Sequence, residues 1–204
     1  FTALDTAGRV AVSRGLLAKL WLVAGGTAMG IGIWAMHFIG MLAMMMPMTM
    51  RYDIPLTAFS LLMAILTSIF AFAQGLQGSH LTRRRLLRGT VILGSGVVAM
   101  HYLGMLALLI EPAIHWDLRL VALSVLIAYG ASGAALWLAF HLRHGESLLL
   151  MRACAALAMG VAIAGMHYTG MAAAQFSAPG SMQHHGMGQE GLAVWVTIIT
   201  LTIL

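Results

Sequence analysis

Long apolar runs alternate with short polar segments along this chain of 204 residues. A helix of about 20 apolar residues crosses the hydrocarbon core of a bilayer, so each such run predicts a membrane span. Leu192–Leu204 is a shorter run that would rise only about 20 Å as a helix. The pattern therefore predicts an all-α, polytopic membrane helical bundle with a partial sixth span after five full ones, which are Leu20–Met46, Pro55–Gly75, Gly89–Ile110, Leu120–Phe140 and Ala153–Phe176.

Charge supports this reading and sets the orientation of the spans. Charged residues make up 8% of the chain, against about 25% in soluble proteins. Lysine and arginine concentrate on the cytoplasmic side of membrane proteins, so the first, third and fifth spans are predicted to run outward from the cytoplasm. Because topology explains the basic loops, no nucleic-acid partner is predicted. The basic residues on that side are Arg9, Arg14, Lys19, Arg83, Arg84, Arg85, Arg88, Arg143 and Arg152.

A short motif occurs three times, once in each outward span. It reads MHFIGM at Met36–Met41, MHYLGM at Met100–Met105 and MHYTGM at Met166–Met171. The histidines are 64 and then 66 residues apart, about the length of a helical hairpin. The spacing predicts three hairpin repeats, at about 20–80, 85–145 and 150–204, within one domain over residues 1–204. Duplication explains the similarity, but it does not by itself explain why each copy keeps a polar residue inside the membrane.

The motif histidines are candidate metal ligands. Each lies about ten residues before the outer end of its predicted span, roughly 15 Å below the surface of the hydrocarbon core, where an ionisable side chain is costly. The methionine four residues later shares its helix face, and the methionine just before lies about 100° around the helix. Imidazole suits copper, zinc and iron, whereas thioether selects Cu(I), so the combination favours copper. The predicted ligands are His37, His101, His167, Met41, Met105, Met171, Met36, Met100 and Met166.

Several arrangements of these residues remain open from the sequence. With pseudo-threefold packing of the hairpins the histidines would converge in one layer, but pairwise arrangements fit equally well. Three histidines bonded to backbone or tyrosine are the structural alternative. Tyr102 and Tyr168 are candidate second-shell donors, although the first copy has Phe38 instead. A short outer loop could collect metal ions or could simply be polar; its candidate ligands are Met182, His184, His185 and Met187.

The three motifs, together with Ala3–Arg9 and Tyr52–Thr57, resemble the MHYT domain, a bacterial integral-membrane sensor module. The resemblance covers nearly the whole chain. It implies a domain of the bacterial inner membrane that senses oxygen, carbon monoxide or nitric oxide through copper bound at the motif residues. Cytoplasmic modules that make or degrade cyclic di-GMP often follow it. The family has seven spans, so the first is expected to precede this chain, with Thr2–Gly15 as the first cytoplasmic loop.

The sequence thus predicts a sensor of a diatomic gas or of redox state that passes a signal to a cytoplasmic module and is not itself an enzyme. A copper transporter, or a copper-binding membrane module without gas sensing, is the main alternative. The spans contain no Asp or Glu, which argues against proton-coupled transport. Haem and zinc are less favoured than copper, because three equivalent histidines fit paired haem ligation less naturally. A structural anchor and a homodimer are both compatible with the sequence.

Overall fold

The computed structural model describes residues 1–44, 50–76, 80–109, 114–142, 149–175 and 186–202. Over these residues the chain forms helices joined by loops with two-residue strands, so the all-α prediction is confirmed. Five of the helices, α2 to α6, are long and apolar enough to cross a membrane, as expected. The elements in chain order are α1 Thr2–Val12, α2 Gly15–Leu42, β1 Arg51–Tyr52, α3 Ile54–Leu76, α4 Arg83–Leu106, β2 His115–Trp116, α5 Leu118–His141, α6 Leu149–Ala172, β3 Ala174–Gln175, β4 Met187–Gly188 and α7 Gln189–Leu201.

The helices that contain the motifs end earlier than the apolar pattern predicts. They end at Leu42, Leu106 and Ala172, four residues before the predicted outer ends of the spans. Each motif histidine therefore lies five residues, about 7.5 Å, from the end of its helix, while the predicted depth in the hydrocarbon core stays a prediction. The helices end early because apolar residues beyond their ends, such as the buried Leu108 and Ala173, pack onto the bundle as loop rather than as helix.

The N-terminal segment is a helix, whereas the resemblance led us to expect a cytoplasmic loop. Helix α1 buries Thr6 and Ala7, and the Thr6 hydroxyl lies directly against Gly25 of α2, where a Cβ would overlap it. Asp5 forms an ion pair with Arg9 at 2.9 Å and lies 3.7 Å from Arg152 of α6. With eleven residues, the helix is too short to cross a membrane, which takes about 20 residues. It packs along the first half of α2, where Thr6 lies against Gly25.

The second helix of each repeat packs around the three helices that contain the motifs, which are α2, α4 and α6. Helix α3 packs between α2 and α4, α5 packs between α4 and α6, and α7 packs on α2. Glycine allows the closest of these approaches: a Cβ at Gly30 would lie 2.6 Å from the carbonyl oxygen of Ala64 in α3. One turn further along α2, the indole N–H of Trp34 donates to the hydroxyl of Ser60 at 3.1 Å. The first hairpin is therefore tightly packed along its length.

The outer loops link each copy to another copy rather than to itself. The Asp53 N–H, at the start of the second helix in copy one, donates to the Ala107 carbonyl at the end of the motif helix of copy two, at 2.7 Å. The Asp117 N–H makes the same bond to Ala173 of copy three at 2.9 Å. Strand β2 of copy two pairs antiparallel with β3 of copy three. Strand β4 of copy three pairs antiparallel with β1, which follows the motif helix of copy one. The contacts therefore run from copy one to two, two to three, and three to one.

Candidate metal centre

The three motif histidines meet in the interior of the bundle. His37 on α2, His101 on α4 and His167 on α6 are each completely buried. The Nδ1 atom of His37 lies 3.1 Å from Nδ1 of His101 and 3.1 Å from Nδ1 of His167. One ligand nitrogen from each ring lies within 4.8 Å of the other two. Of the two arrangements that the sequence left open, the structure has the single layer.

Hydrogen bonds among the rings cannot satisfy this cluster. A neutral imidazole has one N–H and one lone pair, so three converging Nδ1 atoms cannot all be paired with one another. The three Nε2 atoms have no hydrogen-bond partner among the described residues. Leaving a buried polar group unpaired costs about 1–3 kcal/mol. The cluster is therefore costly as a purely structural feature, which weakens the alternative of three hydrogen-bonded core histidines.

The spacing of the Nδ1 atoms fits a shared metal ion. Metal–nitrogen bonds of about 2.0 Å place three nitrogens around one ion roughly 3.5 Å apart. The two shortest separations of 3.1 Å need to widen by only a few tenths of an ångström to reach that value. The ring centroids are about 5 Å apart and meet edge to face, which leaves no space for a porphyrin between them. The donor set suits a small ion better than haem.

The opposite edge of each imidazole lies against a glycine from another copy. Nε2 of His37 faces Gly104, and a Cβ added at Gly104 would overlap the ring. The same relation joins His101 to Gly170, and His167 to Gly40. These are the glycines of the motif, three residues after the histidine of their own helix. The sequence indicated that the glycines allow close helix packing, but it gave no sign of which histidine each one accommodates.

A sequence model described as a bacterial signalling protein N-terminal repeat, MHYT, matches residues 30–89, 94–152 and 160–203. The chain belongs to the MHYT family. The three matches each include one histidine of the cluster, so the family repeat and the site coincide in all three copies.

Curated proteins related to this MHYT chain are signalling proteins. It is 52% identical, over its whole length, to the bifunctional diguanylate cyclase/cyclic di-GMP phosphodiesterase MucR of Pseudomonas aeruginosa, of which it covers 30%. It is 36% identical, again over its whole length, to the signaling protein YkoW of Bacillus subtilis, of which it covers 26%. It is 40% identical over 88% of its length to the cyclic di-GMP phosphodiesterase NbdA of Pseudomonas aeruginosa, covering 23%. The chain thus spans less than a third of each relative, and no solved structure matches it.

The aromatic residues of the MHYT motifs contact the histidines but bond elsewhere. The ring of Tyr102 lies 4.8 Å from that of His101 between centroids, yet its hydroxyl bonds with Ser124 of α5 at 2.7 Å. Tyr168 has 58% of its surface exposed. Between described residues, no hydrogen bond joins either hydroxyl to a motif histidine, so the structure does not place them as the donors that the sequence suggested. Ser124 was missed, although its 64-residue offset from the equally buried Ser60 could have indicated it.

The motif methionines surround the cluster in different degrees of burial. Met41, Met100, Met105 and Met166 are buried in the same core as the histidines, and Met171 is half-buried against that core. Met36, which precedes the first histidine, is also half-buried and lines a cavity described below. Burial is common to methionines that fill a core and methionines that bind a metal. Thioether coordination therefore stays a prediction.

The outer side of the cluster is closed by buried loop residues. Tyr52 is completely buried, and burial raises the pKa of its phenol to about 12. Its hydroxyl donates to the sulfur of Met50 at 3.9 Å. From the predicted metal-collecting loop only Met187 is described, half-buried in β4 opposite Tyr52. The other members, Met182, His184 and His185, lie outside the described residues.

An apolar cavity lies next to the cluster, toward the N-terminal ends of the motif helices. Its volume is about 330 Å³, and its lining includes Met36, Ile33, Phe72 and Val97 together with the buried hydroxyl of Ser132, which has no partner among the described residues. Met36 directly precedes His37, so the cavity extends to the level of the histidines. Gly32 of α2 and Gly160 of α6 also line it, and a Cβ at either would meet no atom within 4 Å. The sequence gave no sign of this space.

Proposed function

We propose that the chain is a membrane-embedded sensor module that holds Cu(I) at His37, His101 and His167, responds to a diatomic gas or to redox state, and passes the signal to a cytoplasmic module. The observation that supports this best is the convergence of three buried Nδ1 atoms, with that of His37 3.1 Å from each of the other two and with Nε2 unpaired among the described residues in each ring. The relatives named for cyclic di-GMP synthesis and hydrolysis support that chemistry as the output. We assign the chemistry to a domain outside this chain, which is itself not an enzyme.

Copper is preferred over zinc because of the sulfur around the imidazoles. Neutral imidazole is a ligand for either metal, but thioethers select Cu(I), and Met41, Met105 and Met171 are the candidate soft donors. Bound Cu(I) would supply a centre for binding oxygen, carbon monoxide or nitric oxide. The chain's own residues exclude water, since the three histidines and the core around them are buried. Apolar cavities bind small apolar molecules, and the space beside Met36 has a mainly apolar lining, so it is a suitable reservoir for a gas.

The proposed signal is a change in how the motif helices pack. Each histidine is fixed to a different helix, so altering the separation of the rings shifts α2, α4 and α6 relative to one another, and packed interfaces respond in discrete steps. Helix α1 packs on α2 and reaches Arg152 of α6 through Asp5, which links two of these helices at their cytoplasmic ends. The basic loops support a location in the bacterial inner membrane with the histidines toward the periplasm. The cluster is complete within one chain, so a homodimer would serve the output and not metal binding.

Metal content tests the copper site directly. Protein purified in detergent and loaded with Cu(I) under reducing, anaerobic conditions is expected to retain about one ion per chain, because three neutral imidazoles form a single site. His101→Ala should lose most of the metal. His115→Ala is the matched control, since His115 is an exposed histidine of β2. Mass spectrometry of the metal content decides between these outcomes. Full copper retention by a variant with alanine at positions 37, 101 and 167 would refute the site.

Gas binding requires a separate measurement. Carbon monoxide added to the copper-loaded protein should give an infrared band displaced from that of the dissolved gas, and His101→Ala should abolish it. In a full-length protein of this architecture the gas should change cyclic di-GMP turnover, while the His115→Ala variant responds normally. Copper flux in proteoliposomes without any gas response would instead support the copper transporter.

A further inference from the structure

Each motif glycine lies opposite the histidine of a different copy. Gly104 belongs to the helix of His101, yet the ring it faces is that of His37. The other two pairs, His101 with Gly170 and His167 with Gly40, follow the same order around the bundle. The Asp53–Ala107 and Asp117–Ala173 backbone bonds of the outer loops run in that order as well. Two independent sets of contacts thus define one direction around the ring.

The glycine contact also fixes where each ring lies. The atom nearest to the position of a glycine Cβ is Nε2 of the imidazole in all three pairs, and the Nδ1 atoms point inward. Turning a ring by half a rotation about its Cβ–Cγ bond would exchange Nδ1 with Cδ2 and leave carbon at the centre. A side chain on the glycine would push the ring out of this position. The position of each ring therefore depends on the glycine remaining bare.

We infer that Gly40, Gly104 and Gly170 are positioning residues, each of which seats the imidazole of another copy in the ring of histidines, and that the inward Nδ1 of each seated ring is the metal-ligating atom. This inference rests on the proposed function in its second part, because a ligating atom implies a metal. In most metal sites the second ring nitrogen donates to a carboxylate or carbonyl, which fixes the ring. Here Nε2 has no such partner among the described residues. Packing against a glycine replaces the hydrogen bond that normally orients a metal-binding histidine.

A double-mutant cycle in metal-free protein tests the seating. Gly104→Ala should lower the unfolding temperature by on the order of 5 °C, because the added methyl overlaps the ring of His37. In the His37→Ala background the same substitution should lower it little or not at all, because the ring is gone. In the His101→Ala background, which removes the histidine of the same helix, the full penalty should remain. Equal penalties in both backgrounds would overturn the inference.

Two further variants keep the test decisive. Gly32→Ala is the control, because a Cβ there meets no atom within 4 Å, and it should not lower the unfolding temperature. If Gly104→Ala alone fails to fold, the double variant of Gly104→Ala with His37→Ala should still fold, whereas the double variant with His101→Ala should not. Failure of both doubles would overturn the seating.

The ligand atom is tested with ¹⁵N-labelled histidine. Nuclear magnetic resonance of protein loaded with Cu(I), which is diamagnetic, should show the metal-induced shift at Nδ1 and a retained proton at Nε2 in all three rings. Metal-induced shifts at Nε2 would overturn the assignment of Nδ1. The two proposals fail separately: a protein that shows the coupling of Gly104 with His37 but binds no metal would disprove the copper site and leave the glycine seating intact.

Discussion

Glycines at two levels of this bundle have opposite surroundings. At the histidine layer the space beside Gly40, Gly104 and Gly170 is taken by an imidazole of another copy. Nearer the N-terminal ends of the motif helices, Gly32 and Gly160 border a cavity, and a Cβ there would meet nothing within 4 Å. The same residue type thus occupies both crowded and open places in the membrane-spanning region. The contrast separates the part of the bundle that holds ligand atoms in fixed positions from the part that has space for a guest.

The difference has a physical basis in how packing defines a site. Close-packed interiors transmit small displacements, so rings held between backbones keep their separation to within a few tenths of an ångström. Residues that line a cavity are not held in fixed positions in this way, and their atoms lose some contact energy. A sensor benefits from having both, with a rigid centre beside a space that a small molecule can enter.

The largest effect is expected from replacing a glycine of α6 by leucine, once at the histidine layer and once beside the cavity. Gly170→Leu forces a branched side chain into the space of His101 and should prevent both folding and copper retention, since overpacking costs about 1–3 kcal/mol or more. Gly160→Leu adds the same atoms ten residues earlier, where the space is open, and should fold with nearly unchanged stability. Thermal unfolding and copper content measure both. Similar losses in the two variants would remove the contrast.

A smaller effect is expected within α2. Gly30→Ala places a methyl 2.6 Å from the Ala64 carbonyl oxygen, which belongs to the backbone of α3 and cannot rotate away, so we expect a loss of about 1–3 kcal/mol. Gly32→Ala should be neutral or stabilising by roughly 0.5–1 kcal/mol, because alanine favours a helix over glycine. Denaturant or thermal unfolding in one detergent compares them. A neutral Gly30→Ala would mean that α2 and α3 lie further apart than described.

The smallest effect concerns the cavity, which should bind xenon weakly. Engineered cavities of about 150 Å³ bind xenon when lined by apolar residues, and this one has about 330 Å³. A concentration-dependent shift in ¹²⁹Xe resonance is expected for the unmodified protein and should decrease in Gly160→Leu. Gly130→Leu serves as the control, because Gly130 is exposed and open but does not line the cavity. An unchanged shift in Gly160→Leu would place xenon elsewhere.

The sequence was sufficient for features that depend on periodicity. Uninterrupted apolar runs predicted the helices α2 to α6, and the matching positions of His37, His101 and His167 within their spans predicted that they lie at one level. Convergence of the rings could only be offered as one arrangement, because the order of helices around a bundle is a tertiary property. The structure supplies that order through the contacts of α3 and α5 with the helices on either side.

Features that depend on neighbours far away in the chain could not be predicted. The sequence places Gly104 in the motif and Gly160 outside it, but it does not show that the ring of His37 lies opposite Gly104. The ends of the motif helices were missed for a related reason: Leu108 is as apolar as a membrane-spanning residue, but it is buried by the loop containing Tyr52. Helix α1 was missed because its buried face consists of small residues, Thr6 and Ala7.

The one-way order of contacts around the ring has a consequence for how such a fold could arise. Each copy contacts the next copy through its histidine and the previous copy through its glycine. The contacts therefore form a heterologous interface that closes into a ring of three copies. Three identical, unconnected hairpins could form the same circle as a homotrimer. Once they are joined in a single polypeptide, each copy can change independently, which is how Phe38 can occupy a position held by tyrosine in the other two.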